Sequence, residues 1–149
     1  MRSSPVWILL GGVGAGCTGL AYERRANSSQ GDLEGTFKTV DEAALAGCNY
    51  IWKHEPTALQ YEFCGTIYRS AEGIKATLPG TNGDATHCRP PPAPGGTTSE
   101  GFLHSDLQGG DFSGPDREIG RALSPLAIYL CTPGGLVKKM TPEGMVIVK

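Results

Sequence analysis

Between Leu103 and Asp116 the chain reads L-H-S-D-L-Q-G-G-D-F-S-G-P-D, which sets His104, Asp106, Asp111 and Asp116 in one short stretch together with Ser113. An imidazole and several carboxylates at this spacing are the donor types of a divalent-metal site. A catalytic zinc takes three protein ligands and keeps a fourth position for water, whose pKa it lowers towards neutrality so that hydroxide is available as a nucleophile. A further carboxylate, Glu62, stands upstream in Tyr61-Glu62-Phe63-Cys64-Gly65, and a carboxylate beside such a water is suited to moving its proton.

An early glutamate, then a histidine box, a short spacer and Ser-x-x-Asp, resembles the signature of the JAMM (JAB/MPN) metallopeptidases, whose box is H-x-H. Three further stretches are similar to an uncharacterised bacterial branch of that superfamily, found in secreted proteins and polymorphic-toxin modules. They are Asp41-Glu42-Ala43-Ala44, Glu62-Phe63-Cys64-Gly65 and Tyr129-Leu130-Cys131-Thr132-Pro133-Gly134-Gly135. The resemblance runs from about Thr39 onward. It implies an α+β fold, a JAMM-like αβ sandwich with a mainly antiparallel sheet and two principal helices. It also implies His104, Asp106 and Asp116 as metal ligands, Glu62 as general acid/base and Ser113 as the oxyanion donor. The cofactor so implied is Zn2+, with Mn2+ or no metal as alternatives, and the substrate or partner is a protein or peptide.

The chain departs from the family at Asp106, which stands where the second histidine of the box belongs. One histidine with two aspartates formally cancels the charge of a divalent zinc, so the metal is a weaker Lewis acid and its water less acidic. Such an oxygen-rich set accepts manganese or magnesium better than a histidine pair does. Aspartate is also shorter than histidine, and Asp111 or His87 could complete the shell instead. The implied activity is that of an exported metal-dependent peptidase or isopeptidase hydrolysing an amide bond. The altered box leaves a second expectation, a catalytically inactive binding or immunity-type module of the cell envelope. The company kept by the bacterial branch suggests a third, a secreted effector domain.

Each of these residues also has a plainer reading. Ser113-Gly114-Pro115-Asp116 suits a helix start, with Ser113 as N-cap, Pro115 in the first turn and Asp116 near the positive end of the helix dipole. A histidine next to a strand is commonly a hydrogen-bonded structural group, and a strand glutamate commonly faces solvent.

With 149 residues the chain has room for one domain of modest core. A formal charge of −2, without a basic run interleaved with aromatics, argues against a nucleic-acid partner. The abundance of glycine (22) and proline (11) points to many turns and a long irregular connection rather than a helical bundle.

Residues 1–21 read as an export or lipoprotein signal: Arg2, the apolar Val6–Val13, and small residues leading to Cys17. Membrane attachment is then expected only through a lipid on Cys17, with ordinary cleavage near Ala21 as the alternative. The apolar stretch is shorter than the ~20 residues a spanning helix needs and is interrupted by glycines. Cys48, Cys64, Cys88 and Cys131 remain, an even set that an oxidising compartment could pair in any of three ways, with at least one bridge expected and Cys64 a participant.

Residues 22–36 are polar and aperiodic and read as a tether, leaving 37–149 as the domain. Thr39 with Glu42 forms a capping box, and Val40, Ala43, Ala44, Gly47, Cys48 and Ile51 share one face of the helix that follows. Tyr61–Arg69 and Ile74–Leu78 flank Ser70-Ala71-Glu72-Gly73 as a hairpin. Pro79–Glu100 is a long proline-containing loop that, in a JAMM-like fold, lies beside the site as a lid, a substrate guide or a partner's ligand. Gly101–His104 is expected as a short strand, Asp116–Leu123 as a second helix, and Leu126–Leu130, Leu136–Met140 and Met145–Val148 as closing antiparallel strands.

Overall fold

The structure, a computed structural model, describes residues 31–107, 117–118, 126–141 and 143–148. The long helix among these residues, α1 (Val40–His54), begins where Thr39 takes an extended backbone and its hydroxyl accepts from the Glu42 N–H. The Glu42 carboxylate reaches back to the N–H of Lys38, one residue earlier than in the reciprocal capping box. Asp41 and Glu42 in the first turn and Lys53 and His54 in the last complement the helix dipole. The buried face is Ala43, Ala44, Gly47, Cys48 and Ile51, as the spacing predicts. Small residues on that face let the helix lie close to the sheet: a Cβ added to Gly47 would come within 2.4 Å of the Leu103 side chain.

Among the described residues six strands follow: β1 (Cys64–Ser70), β2 (Gly73–Ala76), β3 (Thr98–Ser105), β4 (Ala127–Cys131), β5 (Val137–Thr141) and β6 (Gly144–Ile147). They form one sheet in the order β2-β1-β3-β4-β5-β6. All neighbouring pairs are antiparallel except β3 and β4, which run parallel. The β1–β2 hairpin turns through Ala71 and Glu72, and Gly73, with φ of 131°, holds a conformation costly for any other residue.

Phe63, Ile67, Leu103, Tyr129, Cys131 and Val137 point from the sheet into the core shared with α1. By the alternation of strand side chains, Cys64, Thr66, His104, Ile128 and Leu130 belong to the opposite face. Ile128 and Leu130 form a smaller apolar cluster there with Met140.

Among the described residues two disulfides tie this frame. Cys48–Cys131 fastens α1 to β4 across 83 residues, and Cys64–Cys88 fastens the long loop to β1. Such bonds persist in oxidising surroundings. Among the described residues no helix is long and apolar enough to cross a membrane. The expected signal over 1–21, with Cys17, lies outside the described residues.

Several expectations change. The α+β class holds, but α1 is the principal helix among the described residues; the second, expected at Asp116–Leu123, lies outside them except for Arg117 and Glu118, which are helical. The tether ends earlier than residue 36. Leu33 and Phe37 donate backbone N–H groups to Ala76 and Ile74 at 2.9 and 2.8 Å, and the Tyr68 hydroxyl donates to Asp32 at 2.6 Å. Residues 31–37 therefore border β2, satisfying an edge that would otherwise be open. β3 starts at Thr98 rather than Gly101, shortening the loop, and β4 joins β3 in parallel rather than extending an all-antiparallel closure.

Candidate metal centre at the end of β3

His104 sits one residue from the end of β3, between Cys64 of β1 and Leu130 of β4 in the register. The β1–β3 pairing continues past the assigned end of β1: the Ser105 N–H donates to the Phe63 carbonyl at 2.8 Å, while the Phe63 N–H donates to Ser105 Oγ at 2.9 Å. The next residue on each chain is Glu62 or Asp106. These two carboxylate residues thus occupy neighbouring positions at one end of the sheet, one step beyond the ladder and two beyond the Cys64–His104 pair. Glu62 lies just before β1 and not within it, a correction to the expected strand position.

Backbone bonds fix both carriers. The Asp106 N–H donates to the Cys131 carbonyl at 3.1 Å, which ties it to the end of β4, and the Glu62 N–H donates to the Asp84 carbonyl at 2.9 Å. His104 is half-buried and its Nε2 is shielded from solvent. Ser105, fully buried, uses its hydroxyl to hold β1 at the strand end, a role no spacing rule announces.

Ser113, Asp116 and Asp111 lie outside the described residues. Among the described residues, no three His, Cys, Asp or Glu side chains stand together as a cation-holding group. The described part of the expected ligand set is His104 and Asp106; the register puts Glu62 at the position next to Asp106, but the three side chains do not gather into a cation-holding group. His87, the suggested substitute, is 80 % exposed, with Nδ1 2.8 Å from Thr86 Oγ1 and 3.7 Å from Asp84. Backbone and side-chain hydrogen bonds from Thr86 hold the Asp84 carboxyl below the usual carboxylate range. This small turn stands in solvent on the loop.

A second polar cluster, unforeseen from sequence, lies on the helix side. Tyr129 donates its hydroxyl to Asp41 Oδ1, and Lys139 Nζ lies 2.9 Å from the same oxygen and 5.6 Å from the centre of the Tyr129 ring. Burial alone would raise the Asp41 carboxyl, but the hydrogen bonds from Tyr129 and Lys139 and the charge of Lys139 outweigh it and hold the group below its usual value. Tyr129, desolvated and donating to a carboxylate, is pushed well above the ordinary phenol range. The one advance sign was an aspartate in the first turn of a helix, which is also ordinary dipole complementarity.

No family model matches the chain, and neither a curated protein nor a solved structure matches it.

Proposed function

We propose that the protein is an exported, JAMM-like metal-dependent amide hydrolase acting on a protein or peptide, with its site at the end of β3. The observation that supports this most is the continuation of the β1–β3 pairing, which puts Glu62 and Asp106 at facing register positions two residues beyond the Cys64–His104 pair. In this reading His104, Asp106 and Asp116 hold a divalent ion, zinc or manganese. A bound ion of this kind would polarise the scissile carbonyl and supply hydroxide near neutral pH. Glu62 takes a proton from the attacking water and returns it to the leaving amine. The Ser113 hydroxyl donates to the oxygen on which charge develops. The two disulfides and the apolar signal-like segment of residues 1–21 support an exported location, with a lipid on Cys17 as the anchor where one is used.

Elemental analysis of freshly purified protein, followed by zinc and manganese titration, tests the reading. About one ion per chain, lost in His104→Ala and Asp116→Ala, is expected, with peptide hydrolysis lost in Glu62→Gln. Protein that binds no divalent ion at any concentration short of precipitation sinks it.

A second reading, an inactive JAMM-like binding module of the envelope, is favoured by Asp106 itself and by the burial of His104 Nε2. Asp106→His separates the two. It raises zinc affinity under both readings, but hydrolysis by the natural sequence occurs only under the first.

A further inference from the structure

The long loop crosses the face of the sheet on which His104 lies. Gly80 exchanges two backbone hydrogen bonds with Cys64, at 2.9 and 3.0 Å, so the chain leaves alongside β1. It then returns over it: Cys88 bonds to the Cys64 sulfur, and the Pro91 carbonyl accepts the hydroxyl of Thr66. Cys64 and Thr66 share a face with each other, and His104 is the direct cross-strand neighbour of Cys64. Pro91 is fully buried, whereas residues 83–87 between the two anchor points are all exposed. Inside the loop the hydrogen bonds are local, Thr86 to Asp84 Oδ1, Gly83 N–H to Thr81 Oγ1 and Arg89 N–H to Asn82 Oδ1, and between Gly80 and Cys88 the backbone is held to the sheet by the Glu62 N–H on the Asp84 carbonyl.

The two disulfides differ in what they join and in how accessible they are. Cys48–Cys131 lies in the core, its sulfurs carried by residues 2 % and 0 % exposed, and links helix to sheet. Cys64–Cys88 links sheet to loop, and Cys88 is only half-buried. Thiol–disulfide exchange needs in-line access to a sulfur, so a small dithiol meets Cys88 long before it meets the core bond. Breaking Cys64–Cys88 removes a loop constraint and leaves the helix, the sheet and the core bridge in place.

We infer that residues 80–94 form a strap across the His104 face and that Cys64–Cys88 is its redox-operated latch, opened by a dithiol without unfolding the domain. A thiolate of the reductant attacks the Cys88 sulfur and expels Cys64 as thiolate. The second thiol of the reductant then closes on the mixed disulfide, releasing Cys88. Two electrons pass to the protein, Cys64 and Cys88 each end as thiols, and the reductant leaves as a cyclic disulfide. The opening itself is independent of any metal; its consequence, access to His104 as a ligand, rests on the reading proposed above.

The test has two arms. In the first, folded protein is titrated with dithiothreitol, trapped with iodoacetamide and mapped by peptide mass, with far-ultraviolet circular dichroism recorded at each step. Cys88 and Cys64 are expected to be alkylated while Cys48 and Cys131 remain joined and the spectrum is unchanged. In the second, the oxidised protein and Cys64→Ser/Cys88→Ser are compared for amide exchange in residues 80–94 and for carbethoxylation of His104 by diethyl pyrocarbonate. Faster exchange and a rise in His104 modification of about tenfold are expected on opening. Simultaneous reduction of both bonds, loss of the fold in the serine variant, or unchanged His104 reactivity each overturns the latch. Zinc titration of the same variant keeps the two ideas apart. A strap that opens on a protein without zinc affinity leaves the latch standing and removes the metal reading, while zinc affinity equal in the open and closed forms does the reverse.

Discussion

Asp41, in the first turn of α1, accepts the hydroxyl of Tyr129, which comes from the middle of β4 and is 88 residues away in sequence. The bond anchors the start of the helix to the sheet near the point where Cys48–Cys131 anchors its middle. Two attachments along one helix determine its direction across the strands, where a single apolar face would leave it free to pivot.

Tyr129→Phe keeps the ring in the core and deletes the donor. Because Asp41 is 43 % exposed and retains Lys139, solvent recovers part of the loss, and the expected cost is about 1 kcal/mol, read as a fall in the urea midpoint with unchanged slope. A loss above about 3 kcal/mol would show that the hydroxyl has a larger structural part than this bond.

The same cluster predicts how stability varies with pH. The folded Asp41 carboxyl titrates below its usual 3.8, so its contribution is present above that value and is lost as pH falls through the depressed one. At the alkaline end Tyr68, raised by burial and then by the bond to Asp32, titrates at about 12 rather than 10. Its contribution is complete below pH 10 and disappears as pH rises through 12. Thermal melts from pH 2 to 12 should decline at both ends, and Tyr68→Phe should flatten the alkaline limb. A limb unchanged in that variant assigns the decline to another group.

Gly101 lies where β3 and β4 pair in parallel, and a Cβ there would come within 2.7 Å of the Ala127 carbonyl oxygen. Backbone cannot swing aside as a side-chain tip can, so Gly101→Ala should cost about 1–3 kcal/mol. Gly134→Ala, with open space around the new atom, is the matched control and should be neutral within about 0.5 kcal/mol. Equal denaturation midpoints for the two variants would mean that the sheet can part here without cost.

Removal of the core bridge should cost more than removal of the loop bridge. By unfolded-chain entropy the 83-residue closure contributes roughly 4.5 kcal/mol and the 24-residue one about 3.5. Cys48→Ser/Cys131→Ser also leaves two hydroxyls in the apolar core. Its melting temperature should fall well below that of Cys64→Ser/Cys88→Ser, and the reverse order would contradict the division of labour between the bridges.

The helix face from Ala43 to Ile51, its threonine cap and the β1–β2 hairpin were legible because each depends on neighbours a few residues apart, where periodicity and turn chemistry act directly. The candidate site was legible as residue types and order, with His104 and Asp106 at the end of a strand, although Glu62 was expected inside a strand and lies just before one. Its proximity was not, since whether Glu62 meets Asp106 depends on a register set by Ser105 and Phe63 and on Cys64 standing opposite His104. The attachment of residues 31–37 was hidden for a related reason. A polar strip looks like a tether until an open sheet edge offers hydrogen bonds to its backbone, which carries no side-chain signal.

Local order and chemical capacity thus follow from the residues themselves: an amphipathic helix after Thr39, short strands, four cysteines beyond Cys17 and an imidazole among carboxylates. Which cysteine meets which, which strand runs parallel and which face the proline-containing loop covers were decided by tertiary structure alone. The physical reason is that these are contacts between segments 24 to 83 residues apart, chosen by simultaneous burial and backbone pairing of the whole sheet rather than by any neighbouring residue.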